Sequence, residues 1–267
     1  NTFAVEAQAE TRASIPSNIP EKETQEEKEI HNIWVFQYNA ATKELLIKPR
    51  YYTIADQAIL QNLPVHLKAG VPSLVYVVTN TGYDNWANDG TDASWLKFKN
   101  LEQLKKQTLP TAFPLRSIDK VSIPMAGASE EIEVTTGITV TVPVTRMYAK
   151  LKVKVEMLKA EMGLNNVNVR QIPNVCRIET FAGEGNGEPM DAVPFPDGTT
   201  FSSIAFAASD LEKSEDKEWA VFYVPENLQG ETETQGGNKS DGAPTNALVV
   251  DVTTEIGGER YLYAAYP

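Results

Sequence analysis

From residue 147 to 157 the chain reads Met-Tyr-Ala-Lys-Leu-Lys-Val-Lys-Val-Glu-Met, with charged side chains at alternate positions and Ala149, Leu151, Val153, Val155 and Met157 between them. Successive side chains of a strand point to opposite faces, so a period of two describes a half-exposed β-strand and is incompatible with a helical stripe. Related signals recur along the chain. Ile30, Ile33, Trp34, Val35, Phe36 and Tyr38 form a β-branched and aromatic segment that ends at Asn39–Lys43 and resumes at Leu45-Leu46-Ile47, which reads as a hairpin. Pro64 to Lys68 and Ser73 to Val78 supply two further strands, the second an unbroken apolar run expected to be buried on both faces.

The pattern continues through Val121 to Met125, Ile138 to Val144, Val167 to Val169, Val175 to Phe181, Trp219 to Val224, Ala247 to Val252 and Tyr261 to Tyr266. Short strands separated by Gly-, Asn- and Asp-rich turns argue for β-sandwiches. Gly183–Gly187 and Gly230–Asp241 are polar and glycine-rich, and read as surface loops. One stretch departs from the period of two. Trp95, Phe98, Leu101 and Leu104 recur every three residues among lysines, which predicts a single amphipathic helix between Trp95 and Leu109, capping a sheet.

A length of 267 residues exceeds the usual size of one domain, so two domains are expected. We place a first sandwich at residues 28–145 and a second at 146–267. Residues 1–27 read as an arm: Pro16 and Pro20 interrupt it and Glu21–Glu29 is a charge run. Within the arm, however, Phe3, Val5, Ala7 and Ala9 alternate with Ala4, Glu6, Gln8 and Glu10. This suits either an edge strand or a frayed terminus.

Chemistry is sparse. Lys+Arg number 24 against 36 Asp+Glu, a net charge of -12 whose field opposes nucleic acid and anionic lipid. The lone Cys176 excludes an internal disulfide and is expected as a buried thiol. Only two histidines, His31 and His66, are present, and neither stands in a metal-ligating or catalytic spacing. No run of about 18 apolar residues would make a membrane-spanning helix. Asp84, Asn88, Asp89 and Asp92 cluster after a strand and could hold calcium, but they lack the spacing of an EF-hand loop, and a solvated acidic turn accounts for them better. Trp86 and Trp95 either stack on a sugar ring, as in a carbohydrate-binding surface lipoprotein, or cover the edge of a core. No enzyme site and no cofactor are expected.

Several segments, in order, resemble one family. Glu29-Ile30-His31-Asn32-Ile33-Trp34-Val35-Phe36, Leu74 to Asn80, Ile123-Pro124-Met125-Ala126-Gly127, Val144-Thr145-Arg146-Met147-Tyr148-Ala149-Lys150 and Tyr223-Val224-Pro225-Glu226-Asn227 are similar to successive stretches of the Bacteroidales-type fimbrillins. The resemblance implies an all-β chain of two transthyretin-like, Greek-key sandwich domains with a short helix in the first. It implies a lipoprotein precursor exported to the outer membrane, and a subunit of a surface fimbria or a fimbria-associated adhesin. A trypsin-like protease would remove an N-terminal strand after a basic residue, for which Arg12, followed by Ala13, is the matching position. A strand from another subunit would then fill the vacancy. Expected partners are sister subunits, the protease and a surface receptor. The family's lipidated cysteine is absent, and Tyr261–Pro267 stops in strand-like sequence, so either a shortened chain or an incomplete second sandwich is expected.

Overall fold

A computed structural model describes residues 2–7, 26–82, 94–110, 122–154, 162–178, 198–211, 219–225, 249–256 and 259–265. Its strands in chain order are β1 (Thr2–Ala7), β2 (Asn32–Asn39), β3 (Arg50–Thr53), β4 (Leu63–Pro64), β5 (Pro72–Thr79), β6 (Thr108–Pro110), β7 (Met125–Ala128), β8 (Ile132–Glu133), β9 (Thr139–Arg146), β10 (Tyr148–Lys154), β11 (Met162–Pro173), β12 (Val175–Arg177), β13 (Phe201–Ala207), β14 (Trp219–Pro225), β15 (Val249–Ile256) and β16 (Glu259–Ala265). Against these, among the described residues, stand two short α-helices, α1 (Leu101–Lys105) and α2 (Ala208–Leu211), and three 3₁₀ turns. The protein is all-β. It divides into two compact units, of which the first takes in residues 1–109, 122–147 and 177–181 and the second the remainder.

In the first unit the strands follow the order β3-β2-β5-β7-β9-β1-β4, with β8 also paired to β5. One hydrophobic cluster draws on both ends of that order, from Ile33 and Val35 on β2 and Val75 and Val77 on β5 to Val140, Val142 and Val144 on β9 and Leu63 on β4. The sheet therefore curls around a single core. In β9 the exposed Thr139, Thr141 and Pro143 alternate with the buried valines, as the sequence period requires.

β2 is buried on both faces. Its second face carries Trp34, Phe36 and Tyr38, with the Phe36 ring 5.3 Å from Phe98 and Trp34 5.3 Å from Tyr51. Phe98, Leu101 and Leu104 are the buried stripe that covers this face, but they do not lie on one helix. Asn100 takes an extended conformation and its side chain accepts from the Gln103 amide, ending the 3₁₀ turn Ser94–Phe98 and starting α1. An asparagine is a strong N-cap, and here it overrides the period of three that the sequence presents as one helix.

Two other expectations change. The hairpin after Asn39 is reduced to an isolated antiparallel bridge, Tyr38↔Leu45, and the ladders of β2 are with β3 and β5. The segment after Pro64 is not a strand. It is held by Gln37, fully buried, which donates from Nε2 to the Lys68 carbonyl at 2.8 Å and to Ser73 Oγ at 2.9 Å, and accepts at Oε1 from the Lys68 amide at 2.7 Å. A core polar group must find such partners, and they replace the ladder there.

The second unit contains the antiparallel sheet β13-β11-β15-β16 and the antiparallel ladder β10–β14, which runs from Tyr148↔Pro225 to Lys154↔Trp219. Phe206 meets Phe222 edge-on at 5.7 Å, and both are buried with Val167, Val169 and Ile172. Cys176 is buried, as expected of a core thiol.

Candidate strand-acceptor site

β9 is a strand shared between two partners. Its last two residues pair antiparallel with β7, at Met125↔Arg146 and Ala126↔Thr145. The six before them pair in parallel with β1, from Thr2↔Thr139 to Ala7↔Val144. The handover has a local cause. Pro143 has no amide hydrogen to give a neighbouring strand, and Gly127 packs so closely on it that a Cβ there would overlap the Pro143 carbonyl oxygen. The β7 ladder therefore ends short of Pro143, and β9 continues with a different strand.

On its other side β1 pairs antiparallel with β4, at Thr2↔Pro64 and Phe3↔Leu63. The N-terminal alternation suits an edge strand; the structure instead makes β1 an interior strand, with β9 on one side and β4 on the other. The difference matters chemically. Without β1, the backbone of Thr139–Val144 loses its partner and β4 loses its connection to β9. The core valines Val140, Val142 and Val144 are the register partners of Phe3, Val5 and Ala7. Unpaired backbone groups beside apolar surface are costly, and an extended segment satisfies both at once.

The body of the unit is secured beyond the N-terminal arm by side chains. Asn80, buried and left-handed at φ 55°, accepts at Oδ1 from the His31 amide at 2.8 Å, and donates from Nδ2 to the carbonyls of Glu29 and Ile123, each at 2.9 Å. Gln57 takes both backbone groups of Ile30, accepting from its amide at 3.0 Å and donating to its carbonyl at 2.9 Å. Arg146 Nε donates to the Glu27 carbonyl at 3.3 Å. Sequence reasoning missed these roles. Asn80 and Arg146 sit inside segments that carry the family resemblance, but nothing in the pattern marks their partners.

Of the residues singled out from sequence, Arg12, Ala13, Asp84, Asp89, Asp92 and Trp86 lie outside the described residues. Trp95 is half-buried in the 3₁₀ turn Ser94–Phe98. Among the described residues no group of three or more His, Cys, Asp or Glu side chains is placed to hold a metal ion. Nor is any helix there long and apolar enough to cross a membrane.

The chain is similar in structure to the C-terminally truncated tip fimbrial protein Mfa3 of Porphyromonas gingivalis, with a TM-score of 0.57 and 14% identity over 90% of this chain and 77% of that one. It is similar also to a candidate cell adhesion protein of Parabacteroides distasonis (TM-score 0.57, 15% identity, 99% and 79% covered) and to one of Bacteroides eggerthii (TM-score 0.54, 14% identity, 99% and 78% covered). These structural neighbours are named for fimbriae and adhesion, not for catalysis. At such identities the likeness is one of fold. No protein-family description matches the sequence, and no curated protein matches it.

Proposed function

We propose that the chain is a structural subunit of a cell-surface fimbria or a fimbria-associated adhesin. In this reading it is built as two transthyretin-like sandwiches and polymerises by strand exchange. A trypsin-like protease cuts after Arg12, β1 leaves, and a strand of a sister subunit takes its place between β9 and β4. The precursor is exported as a lipoprotein to the outer membrane, and the assembled fimbria meets a surface receptor.

The observation that carries the reading is the interior position of β1. A strand at the start of a chain, paired over its whole length on one side and at its first two residues on the other, leaves a slot open on both sides when it departs. A strand that restores six parallel pairings dissociates slowly, which suits a filament under load. The fold shared with fimbrial and adhesion proteins supports the same reading.

Limited trypsin digestion of the native protein, followed by N-terminal sequencing and size-exclusion chromatography, tests it. The expected result is a new terminus at Ala13 and conversion of monomer to multimers. A cut chain that has lost residues 1–12 and stays monomeric would count against polymerisation.

A further inference from the structure

Several backbone groups between Glu27 and His31 are held by side chains from further along the chain. Gln57 serves both groups of Ile30, Asn80 serves Glu29 and His31, Arg146 serves Glu27, and the Ile54 amide donates to the His31 carbonyl at 2.8 Å. A second asparagine joins the two ends: Asn32 Oδ1 accepts from the Thr81 amide at 2.9 Å, and the Asn80 amide donates to the Asn32 carbonyl at 3.0 Å. Ile30 itself is buried in the core. The pairings of β1 with β9 and β4 use none of these bonds.

We propose that Gln57, Asn80 and Arg146 form a clasp that divides the start of the chain into two independent opening units, so that β1 leaves the sheet without unzipping β2. Side-chain amides act here as stand-ins for a neighbouring strand. β1 also packs on the turn Gln57–Gln61, so the clasp requires that this turn keep its bonds to Ile30 when residues 2–7 depart. Without them, an opening that begins at β1 would pass along the connecting chain into Ile30 and β2, and from β2 into the core. Such boundaries between cooperative units are a recognised property of folded proteins, and here the boundary is built from named bonds. The clasp does not require strand exchange; if exchange occurs, the clasp is what keeps the acceptor folded while its slot is empty.

Amide hydrogen exchange followed by mass spectrometry on the intact chain tests the proposal. Peptides covering residues 2–7 should exchange at least about 10-fold faster than those covering 28–36. Asn80→Gly keeps the left-handed backbone but removes the side chain, and Gln57→Ala removes both bonds to Ile30. Each should raise exchange at residues 28–33 by about 5- to 30-fold while leaving β10 and β14 unchanged. A common rate for residues 2–7 and 28–36 in the unmodified protein would overturn the proposal. So would unchanged protection of residues 28–33 in both variants. A chain that shows the two rates but never forms multimers after cleavage would keep the clasp and remove the exchange reading.

Discussion

Gly127 on β7 lies against the carbonyl of Pro143 on β9 with no space between them for a side chain, and Val144 Cα would be 3.0 Å from any Cβ placed there. The contact fixes the point at which β9 passes from one neighbour to the next. Gly127→Ala should therefore force the two strands apart. We expect a loss of about 1–3 kcal/mol, read from the urea midpoint, together with faster exchange in residues 125–128.

Val142 faces the core at the centre of the six-residue ladder with β1 and is fully buried. Val142→Ala removes two methyl groups beside that strand. A cost of about 2 kcal/mol is expected, and residues 2–7 should lose protection against hydrogen exchange before the rest of the unit does.

Gln37→Leu keeps nearly the same volume but leaves the amide and carbonyl of Lys68 and the hydroxyl of Ser73 without this partner. Stability should fall by about 1–3 kcal/mol in denaturant titration, because stranding buried polar groups costs more than the bonds themselves contribute.

Phe98→Ala should cost about 3–5 kcal/mol, since the ring is fully buried against Phe36 and anchors the segment that covers β2. If the cost is under about 1 kcal/mol, this segment does not cap the core.

Tyr38 donates its hydroxyl to the Phe98 carbonyl at 3.1 Å, and burial, with the neighbouring Tyr76 adding to it, pushes its phenol far above the ordinary value of 10. Burial raises Tyr52 as well. In the unfolded chain these phenols ionise near pH 10, whereas in the folded chain they keep their protons. Their contribution is thus intact below pH 10 and is lost as the pH climbs above it. Alkaline unfolding should begin above about pH 10, and in Tyr38→Phe the stability should depend less steeply on pH in that range.

Much of the fold can be read from alternation alone. The exposed threonines and buried valines of β9, the two-sided burial of β5 and the aromatic face of β2 all follow from residue type and spacing. The exceptions share a cause. Asn100 breaks a helical stripe because a side chain caps a backbone amide, and Gln37 suppresses a strand after Pro64 because a side chain replaces a ladder. Asn80 and Gln57 do the same for Ile30 and its neighbours. A local sequence window reports which face is apolar; it does not report which distant amide a given asparagine or glutamine will serve. The interior position of β1 was hidden for a similar reason, since its partners on β4 and β9 are remote in sequence and only topology brings them to either side.

That remoteness sets the order of events at the ribosome. Thr2 is made well before its ladder partner Thr139, which follows it by about half of the 267 residues. At roughly 5–20 residues per second, β1 waits on the order of ten seconds for the strand it must join. Throughout that interval an apolar, strand-forming segment is available to any chaperone that meets the nascent chain, so whether residues 2–7 are still free to join β9 is decided during synthesis.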